Sequence, residues 1–307
     1  MKKQLPSFAY KLLLLLAPII WGASFVFMKN AVDVFPPSYL LGVRFTATGL
    51  IMLVFTFPLI KKAFSKKLLS VGAILAVLLF LSYWFQTVGL TDTTPGKNAF
   101  ITGTYCVMVP FLWWVWAKKK PGVLHIVAAF VCLIGLGLVT LDGNLSVSFG
   151  DFMTFICAIF NALLIVYINL KVENEYIIPL TTLEFIGAGI LGFIVGLFTE
   201  TWPADYVPTT QFYLEMAYLV ILASAACNLI MNYGLKKVDA APAAIILSLE
   251  AVFGALFSVV LYNETVTLQL GLGFGVIFIA IILSEAVPLY VERFRENKRK
   301  VTDGQSD

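Results

Sequence analysis

The chain has 307 residues, of which 60% are hydrophobic and 13% are charged, with a formal net charge of +3 at pH 7. Soluble domains carry about a quarter charged residues, so this composition excludes an ordinary soluble protein. One histidine cannot form a multi-histidine metal site, and the four cysteines match no zinc or redox spacing. We therefore expect no metal, no cofactor and no nucleic-acid partner, and we expect the cysteines to be reduced and buried.

Apolar stretches of roughly 20 residues follow one another along the chain, and each could cross a ~30 Å hydrocarbon core as a helix. The first stretch follows Lys2 and Lys3 and continues through Trp21 to Lys29 without a small-residue cleavage pattern. We interpret it as a membrane helix and not as a signal peptide. The pattern predicts ten helices, near residues 11–29, 38–60, 68–90, 97–117, 122–141, 150–170, 179–199, 212–235, 240–262 and 267–289.

The basic residues collect in alternate gaps between the predicted helices. Of the 21 Lys and Arg residues, Lys29 and Lys97 fall on one side, Arg44 lies within the second helix, and the others fall on the opposite side. By the positive-inside rule the richer side is cytoplasmic, and both termini lie there. We therefore expect a multi-pass protein of the cytoplasmic membrane, a lipid bilayer partner, and a cytoplasmic basic tail at residues 291–307.

The two halves of the chain have the same layout. A shift of 145 residues aligns Gly89 with Gly234 and Ala99 with Ala244. Five helices per half is an odd number, so the second copy is inserted upside-down relative to the first. We therefore expect an all-α integral membrane protein of ten transmembrane helices in two inverted five-helix repeats, residues 1–145 and 146–290. Chance similarity among apolar helices is the alternative.

Glycine patterns predict close helix packing and no nucleotide site. Gly192 and Gly196, like Gly271 and Gly275, have the Gly-x-x-x-Gly spacing that lets helix backbones approach each other, mostly within one monomer. No Gly-rich phosphate-binding motif follows a predicted strand, which argues against ATP-driven transport.

A series of short motifs runs through almost the whole chain in a fixed order. Its members are Trp21-Gly22-Ala23-Ser24-Phe25, Arg44-Phe45, Gly89-Leu90, Asn98-Ala99-Phe100, Pro110, Gly150-Asp151, Gly234-Leu235, Ala240-Ala241-Pro242-Ala243-Ala244, Leu249-Glu250-Ala251-Val252 and Asn263-Glu264. In order and spacing they resemble the drug/metabolite transporter superfamily, specifically its ten-helix EamA-type members. The resemblance implies metabolite movement, frequently export of amino acids or related compounds. The family pattern usually has proline where Ala251 stands and glutamate near Lys118 or Lys119.

Three ionisable residues lie within predicted helices, where a charge costs on the order of 2.5–3.5 kcal/mol on insertion scales. Glu250 is either a carboxylate that couples proton movement to transport or a structural partner of Arg44 or a neighbouring helix. Arg44 either binds a substrate carboxylate or has a structural role, in an ion pair or reaching towards the interface. For Glu184, near a helix end, a structural role is favoured.

Polar and aromatic residues recur inside the predicted helices. Asn98, Thr102 and Tyr105 fall on one face of the fourth helix. A wall of amides, hydroxyls and rings suits a small amphipathic or zwitterionic solute. Amides that join helices by hydrogen bonds are the alternative for each single residue. The predicted substrate-binding set is Trp21, Phe25, Tyr83, Gln86, Asn98, Thr102, Tyr105, Asn161, Asn228, Asn232 and Ser248.

These patterns predict a secondary active transporter that exports a small organic metabolite by alternating access, as a monomer or weak homodimer. An antiporter for phosphorylated compounds or nucleotide sugars is disfavoured, because only Arg44 offers a cation inside the membrane. A membrane enzyme is disfavoured because no Ser/His or paired-Asp arrangement lies within the helices. A scaffold or receptor would typically bring a soluble signalling domain, and none is evident.

Overall fold

The computed structural model describes residues 7–118, 123–140, 147–237, 240–261, 263, 267–280, 282–283 and 287. These residues form helices and loops without any strand among them, which confirms the all-helical prediction. The predicted tail at 291–307 lies outside the described residues. The helices are α1 (Ser7–Leu14 and Leu16–Val32), α2 (Pro37–Ala63), α3 (Lys66–Leu90), α4 (Pro95–Gly103 and Tyr105–Ala117), α5 (Val123–Thr140), α6 (Phe149–Lys171), α7 (Ile177–Thr199), α8 (Thr210–Ala217, the π-helical Tyr218–Ala226 and Cys227–Leu235), α9 (Ala240–Leu261) and α10 (Leu268–Ala280).

The helices have the length and surface of a membrane protein. Within the described ranges, α1 to α4 and α6 to α8 are long enough to cross a bilayer, with mean hydropathy between 1.4 and 2.3. The other three helices contain shorter apolar stretches, Ile126–Leu138, Ile246–Leu261 and Leu268–Ala280. Large apolar side chains also face outwards: Phe55 is 77% exposed and Phe198 is 86% exposed. Lipid, and not water, suits such a surface.

The most extensive helix contact in the described part of the chain is antiparallel and joins α2 to α7. A Cβ atom added to Gly192 would lie 2.6 Å from the backbone nitrogen of Gly42, and one added to Gly49 would lie 2.9 Å from the backbone nitrogen of Ile186. Only residues without a side chain allow such an approach. The packing predicted for Gly192 therefore lies within the monomer. A Cβ added to Gly275, in contrast, would meet no atom within 4 Å.

The remaining helices pack beside this pair and on one another. α3 packs on α6 and α7, while α1 packs on α8 and α9. α4 packs on α6 and α9, and α2 also contacts α8. α5 meets α10, where a Cβ on Gly135 would lie 2.8 Å from the backbone nitrogen of Ile277. Helices from the two halves of the sequence therefore pack directly on one another.

One end of the bundle carries most of the lysines that the structure describes. Lys67 Nζ lies 2.6 Å from Glu173 Oε1 and joins the α2–α3 turn to the α6–α7 turn. Lys236 Nζ donates a hydrogen bond of 2.8 Å to the carbonyl oxygen of Asn169, which brings the end of α8 to the same place. We call this the basic end. Its lysines are Lys61, Lys62, Lys66, Lys67, Lys118, Lys171, Lys236 and Lys237.

At the opposite end, acidic side chains from loops bind the starts of α2 and α6. The Glu200 carboxylate accepts hydrogen bonds from the Ser38 backbone N–H (2.9 Å), the Ser38 hydroxyl (2.6 Å) and the Tyr39 backbone N–H (3.3 Å). Asp92 Oδ2 accepts a 3.0 Å bond from the Gly150 backbone N–H. Because the first N–H groups of a helix lack partners within it and carry partial positive charge, carboxylates stabilise both helix starts.

Replacing Glu200 with alanine is therefore expected to lower the free energy of unfolding by about 1 kcal/mol, the usual cost of losing a helix cap. Thermal unfolding in lipid or detergent measures the change. Asp205→Ala, at an exposed position of the same loop, is the matched control. Equal melting temperatures for the two variants would contradict this account of how α2 begins.

Candidate functional site

A cavity lies at the centre of the bundle, between helices of both halves. It holds about 500 Å³ of space between atoms, open solvent included. α1, α3 and α4 contribute to its wall, and so do α6, α8 and α9. The lining residues are Trp21, Ser24, Phe25, Tyr83, Gln86, Tyr105, Asn161, Leu164, Ile165, Met231, Leu247 and Glu250.

Among the residues that the structure describes, the lining contains one carboxyl group and no Lys, Arg or His. Glu250, on α9, is 6% exposed and interacts by hydrogen bonding with the side chain of Tyr105 on α4. No salt bridge to Glu250 is found within the described part of the chain. An acidic group that faces a cavity with a hydroxyl beside it can bind a proton or a cationic group of a ligand.

The π-helical segment of α8 fixes one wall of the cavity. A π-helix has an irregular backbone hydrogen-bond pattern and is often found at functional sites. Here Trp21 Nε1 donates a 2.7 Å hydrogen bond to the carbonyl oxygen of Ala223, and Thr48 Oγ1 contacts that of Val220 at 3.2 Å. Both acceptors belong to the π-helical segment. The indole ring is therefore held in one orientation against the cavity.

Arg44 lies behind the cavity wall and not in it. Its guanidinium is 5.1 Å from the ring centre of Tyr83, and its Nε donates a 2.9 Å hydrogen bond to the Ser224 hydroxyl. The side chain is 1% exposed, so it does not extend to the interface. Among the described residues it forms no ion pair, so the alternative in which it pairs with Glu250 is wrong for this conformation.

Towards the end of the bundle that lies opposite the basic end, polar side chains close the cavity. Gln86 Nε2 contacts Thr102 Oγ1 at 3.3 Å. Beyond it, Asn98 Nδ2 donates to the Gln86 carbonyl oxygen (3.2 Å) and to Thr154 Oγ1 (2.8 Å). These bonds join α3, α4 and α6. Asn98 and Thr102, predicted to line a pocket, therefore serve here as contacts between helices, as in the alternative considered for such residues.

The predicted site residues thus separate into two groups. The members that line the cavity are Trp21, Phe25, Tyr83, Gln86, Tyr105, Asn161 and Glu250. The others are buried outside this lining, and their hydrogen bonds lie within or between helices. Asn228 donates to the Ser224 carbonyl oxygen (3.0 Å), Asn232 donates to Thr181 Oγ1 (2.8 Å), and Ser248 is buried on α9. Glu184 is fully buried on α7, so its carboxyl group does not extend to the membrane surface at the helix end.

Sequence reasoning missed five lining residues. Ser24 is the small polar member, and its Oγ donates a 2.7 Å bond to the Trp21 carbonyl oxygen. Its position between Trp21 and Phe25, which were both predicted to line the site, could have indicated that Ser24 lines it too. Apolar residues on membrane helices give no signal, because lipid-facing and cavity-facing positions have the same composition. These residues are Leu164, Ile165, Met231 and Leu247.

Metal binding has no support in the described ranges, which contain no group of three or more His, Cys, Asp or Glu side chains close enough to hold an ion. The four cysteines are free and buried, as expected. The chemistry of the cavity is therefore that of its carboxyl, hydroxyl, amide and aromatic groups.

The sequence matches a known family over nearly all of the residues that form this bundle. The sequence model of the EamA-like transporter family matches residues 9–141 and 148–285. The chain belongs to the EamA-like transporter family. Its membership of the drug/metabolite transporter superfamily follows, which confirms the resemblance drawn from the motifs. An EamA-like chain is a multi-pass membrane protein that moves small molecules, and its family and relatives are named as transporters and not as enzymes.

Relatives of this EamA-like chain cover most of its length. An uncharacterized transporter of Archaeoglobus fulgidus is 30% identical over 273 residues, which are 88% of this chain and 83% of the relative. The uncharacterized inner membrane transporter YedA of Escherichia coli is 26% identical over 86% of this chain and 87% of its own length. A crystal structure superposes with a TM-score of 0.66 at 14% identity, covering 91% of this chain and 98% of its own. That likeness shows the fold alone.

Proposed function

We propose that this EamA-like protein is a secondary active transporter that exports a small organic metabolite, such as an amino acid or another amphipathic compound, by alternating access. The observation that carries the proposal is the central cavity, which is formed by helices of both halves and is closed by hydrogen bonds towards one end. A cavity that opens to each side in turn moves its content across the bilayer. Export is the direction that the family resemblance implies.

The packing of the helices supports two inverted repeats. Exchanging each helix for the one five places away turns the α3–α6 contact into the α8–α1 contact, and both are present. It likewise turns α1–α9 into α6–α4, and α3–α7 into α8–α2. The pairs α2–α7, α4–α9 and α5–α10 map onto themselves. This is the contact pattern that a two-fold axis in the membrane plane would produce, with repeats at 1–145 and 146–290.

The orientation follows from the lysines. The positive-inside rule makes the basic end cytoplasmic, with both termini there, so the end closed by Gln86 and Asn98 faces outwards. This conformation is then closed to the outside. Apolar residues on the cytoplasmic halves of their helices, Leu164, Met231 and Leu247, continue the cavity wall towards the basic end.

The lining favours a zwitterionic or amine-bearing solute over a phosphorylated one. Glu250 can attract an ammonium group, while Trp21 and Phe25 offer aromatic faces to a cation or an apolar moiety. A phosphate or nucleotide sugar would need Lys or Arg in the wall, and the described lining residues include neither. The antiporter for phosphorylated compounds therefore has less support.

Proteoliposomes loaded with radiolabelled metabolites and given a pH gradient test the function directly. For any substrate that moves, Trp21→Ala is expected to raise the half-saturating concentration about tenfold, because an aromatic wall and its fixed orientation are lost. Trp114→Ala, which removes a 41% exposed tryptophan outside the cavity, should leave it unchanged. The comparison requires that the two variants have equal melting temperatures, so that a difference in transport does not reflect unfolding. If no solute exchanges across the membrane, the transporter proposal fails.

A further inference from the structure

A further cavity lies at the basic end, apart from the central one. It holds about 400 Å³ of space between atoms, open solvent included, and it is bounded by the start of α3, the α6–α7 turn and the first turn of α7. The two cavities have no described lining residue in common. We call it the basic-end cavity, and its lining residues are Ser65, Lys67, Leu68, Val71, Lys171, Glu173, Tyr176 and Leu180.

The wall of the basic-end cavity has a charged part and an apolar part. Lys67 and Lys171 are exposed and form its rim at the basic end. Leu68 and Leu180 are buried, and with Val71 they lie further along α3 and α7, away from that end. A cavity with ammonium groups at its mouth and an apolar wall behind them suits a molecule that is anionic at one end and apolar at the other.

The charges around this cavity do not cancel. Lys67 Nζ lies 2.6 Å from Glu173 Oε1, so these two side chains neutralise each other. Lys171 forms no ion pair within the described ranges. Ser65, the N-cap of α3, lines the same cavity, so the partial positive charge of the helix start adds to that of the lysine. The lining therefore has an excess of positive charge.

The apolar surface beside the cavity indicates how deep it lies in the bilayer. Phe64, directly before the start of α3, is an exposed aromatic residue, as is common at the level of lipid headgroups. Leu69 and Ile74, on α3, are exposed apolar residues that suit acyl chains. Lys67 and Ile74 are about 10 Å apart along the helix axis. The charged rim therefore lies at headgroup level, and the apolar wall lies where acyl chains begin.

We infer that the basic-end cavity binds one anionic phospholipid, with the phosphate at Lys171 and the first part of an acyl chain against Leu68, Val71 and Leu180. A phosphate accepts charge-assisted hydrogen bonds from an ammonium group, and basic pockets between membrane helices bind anionic headgroups in this way. A free phosphate would use the cations but leave the apolar wall uncovered. The lipid would connect the start of α3 to the α6–α7 turn.

Native mass spectrometry of the full chain released from nanodiscs tests this inference without any transport substrate. The nanodiscs contain phosphatidylcholine with an increasing fraction of phosphatidylglycerol, and the lipid retained on the protein is measured. Lys171→Ala is expected to need about a tenfold higher phosphatidylglycerol fraction for half occupancy, because a charge-assisted hydrogen bond is lost. Lys61→Ala removes the same charge from an exposed position outside the lining and should bind as the wild type does.

Two further variants separate a specific site from general attraction to lysines. Glu173→Gln releases Lys67 from its ion pair and should lower the half-occupancy fraction, whereas Glu175→Gln, an exposed change in the same turn, should not. Val71→Phe keeps every charge but fills the apolar part of the cavity, so it should weaken retention.

The inference depends on insertion in a membrane but not on transport, so its failure and that of the proposed function are distinguishable. It is overturned if Lys171→Ala and Lys61→Ala reduce retention equally, or if phosphatidylcholine is retained as well as phosphatidylglycerol. Retention of soluble glycerol 3-phosphate at the same occupancy, unaffected by Val71→Phe, would show a phosphate site and overturn the lipid. Lys171 is exposed, so its variant is expected to fold and keeps the test decisive.

Discussion

Glu250→Gln is expected to abolish proton-driven accumulation of substrate while substrate exchange continues. The glutamine keeps the shape and hydrogen-bonding capacity of the carboxyl beside Tyr105, but it cannot gain or lose a proton. Liposomes with a lumen about one pH unit more acidic should accumulate substrate about tenfold with the wild type, for one proton per solute. The variant should only equilibrate the solute.

The control for this prediction is Glu175→Gln, which changes an exposed glutamate at the basic end. It should accumulate substrate as the wild type does. If Glu250→Gln still drives accumulation from a pH gradient, then Glu250 is not the coupling group. Loss of exchange as well as accumulation would instead indicate that its charge binds the solute.

Gly192→Ala is expected to destabilise the protein by about 1–3 kcal/mol, the range for overpacked cores. The new methyl group would lie 2.6 Å from the Gly42 backbone nitrogen and 3.0 Å from the Ser38 carbonyl oxygen. Backbone atoms of a helix cannot move aside as a side chain can, so α2 and α7 must separate. A lower melting temperature and a smaller monodisperse fraction in size-exclusion chromatography measure this.

Gly275→Ala is the matched control, because its methyl group would meet nothing within 4 Å. Alanine has the higher helix propensity, so this variant should be neutral or slightly more stable. The pair separates the effect of close packing from the effect of losing a glycine. Equal stability of the two variants would contradict the α2–α7 contact.

Much of the fold could be predicted from the sequence, because length and hydropathy alone determine which stretches suit a bilayer. Each of the ten predicted stretches overlaps one of the described helices, and the spacing of Gly192 and Gly196 indicated a close approach. The contact of Glu200 with Ser38 could not be predicted, since it joins a loop to a helix start 162 residues away. The π-helical segment of α8 has no sequence signal either.

The candidate site was predictable only in part, for a physical reason. Asn98, Thr102 and Tyr105 share a helix face, and periodicity cannot tell which of them meets open space. The structure places Tyr105 against the cavity and Asn98 among the helices that close it. Their roles in binding remain predictions. A side-chain amide within a membrane helix forms hydrogen bonds with the nearest backbone or hydroxyl group. A buried polar residue therefore indicates a contact between helices as often as it indicates a cavity.

The glycine contact between α2 and α7 also limits how the protein can move. The rings of Phe193 and Tyr39 already lie against Gly42 and Gly196, so an axial step of α2 along α7 would press them onto the opposite main chain. We therefore expect this pair to act as a pivot in the proposed transport cycle. A chemical crosslink across this pair should therefore spare turnover, whereas one between α3 and α6 at the Gln86 level should stop it.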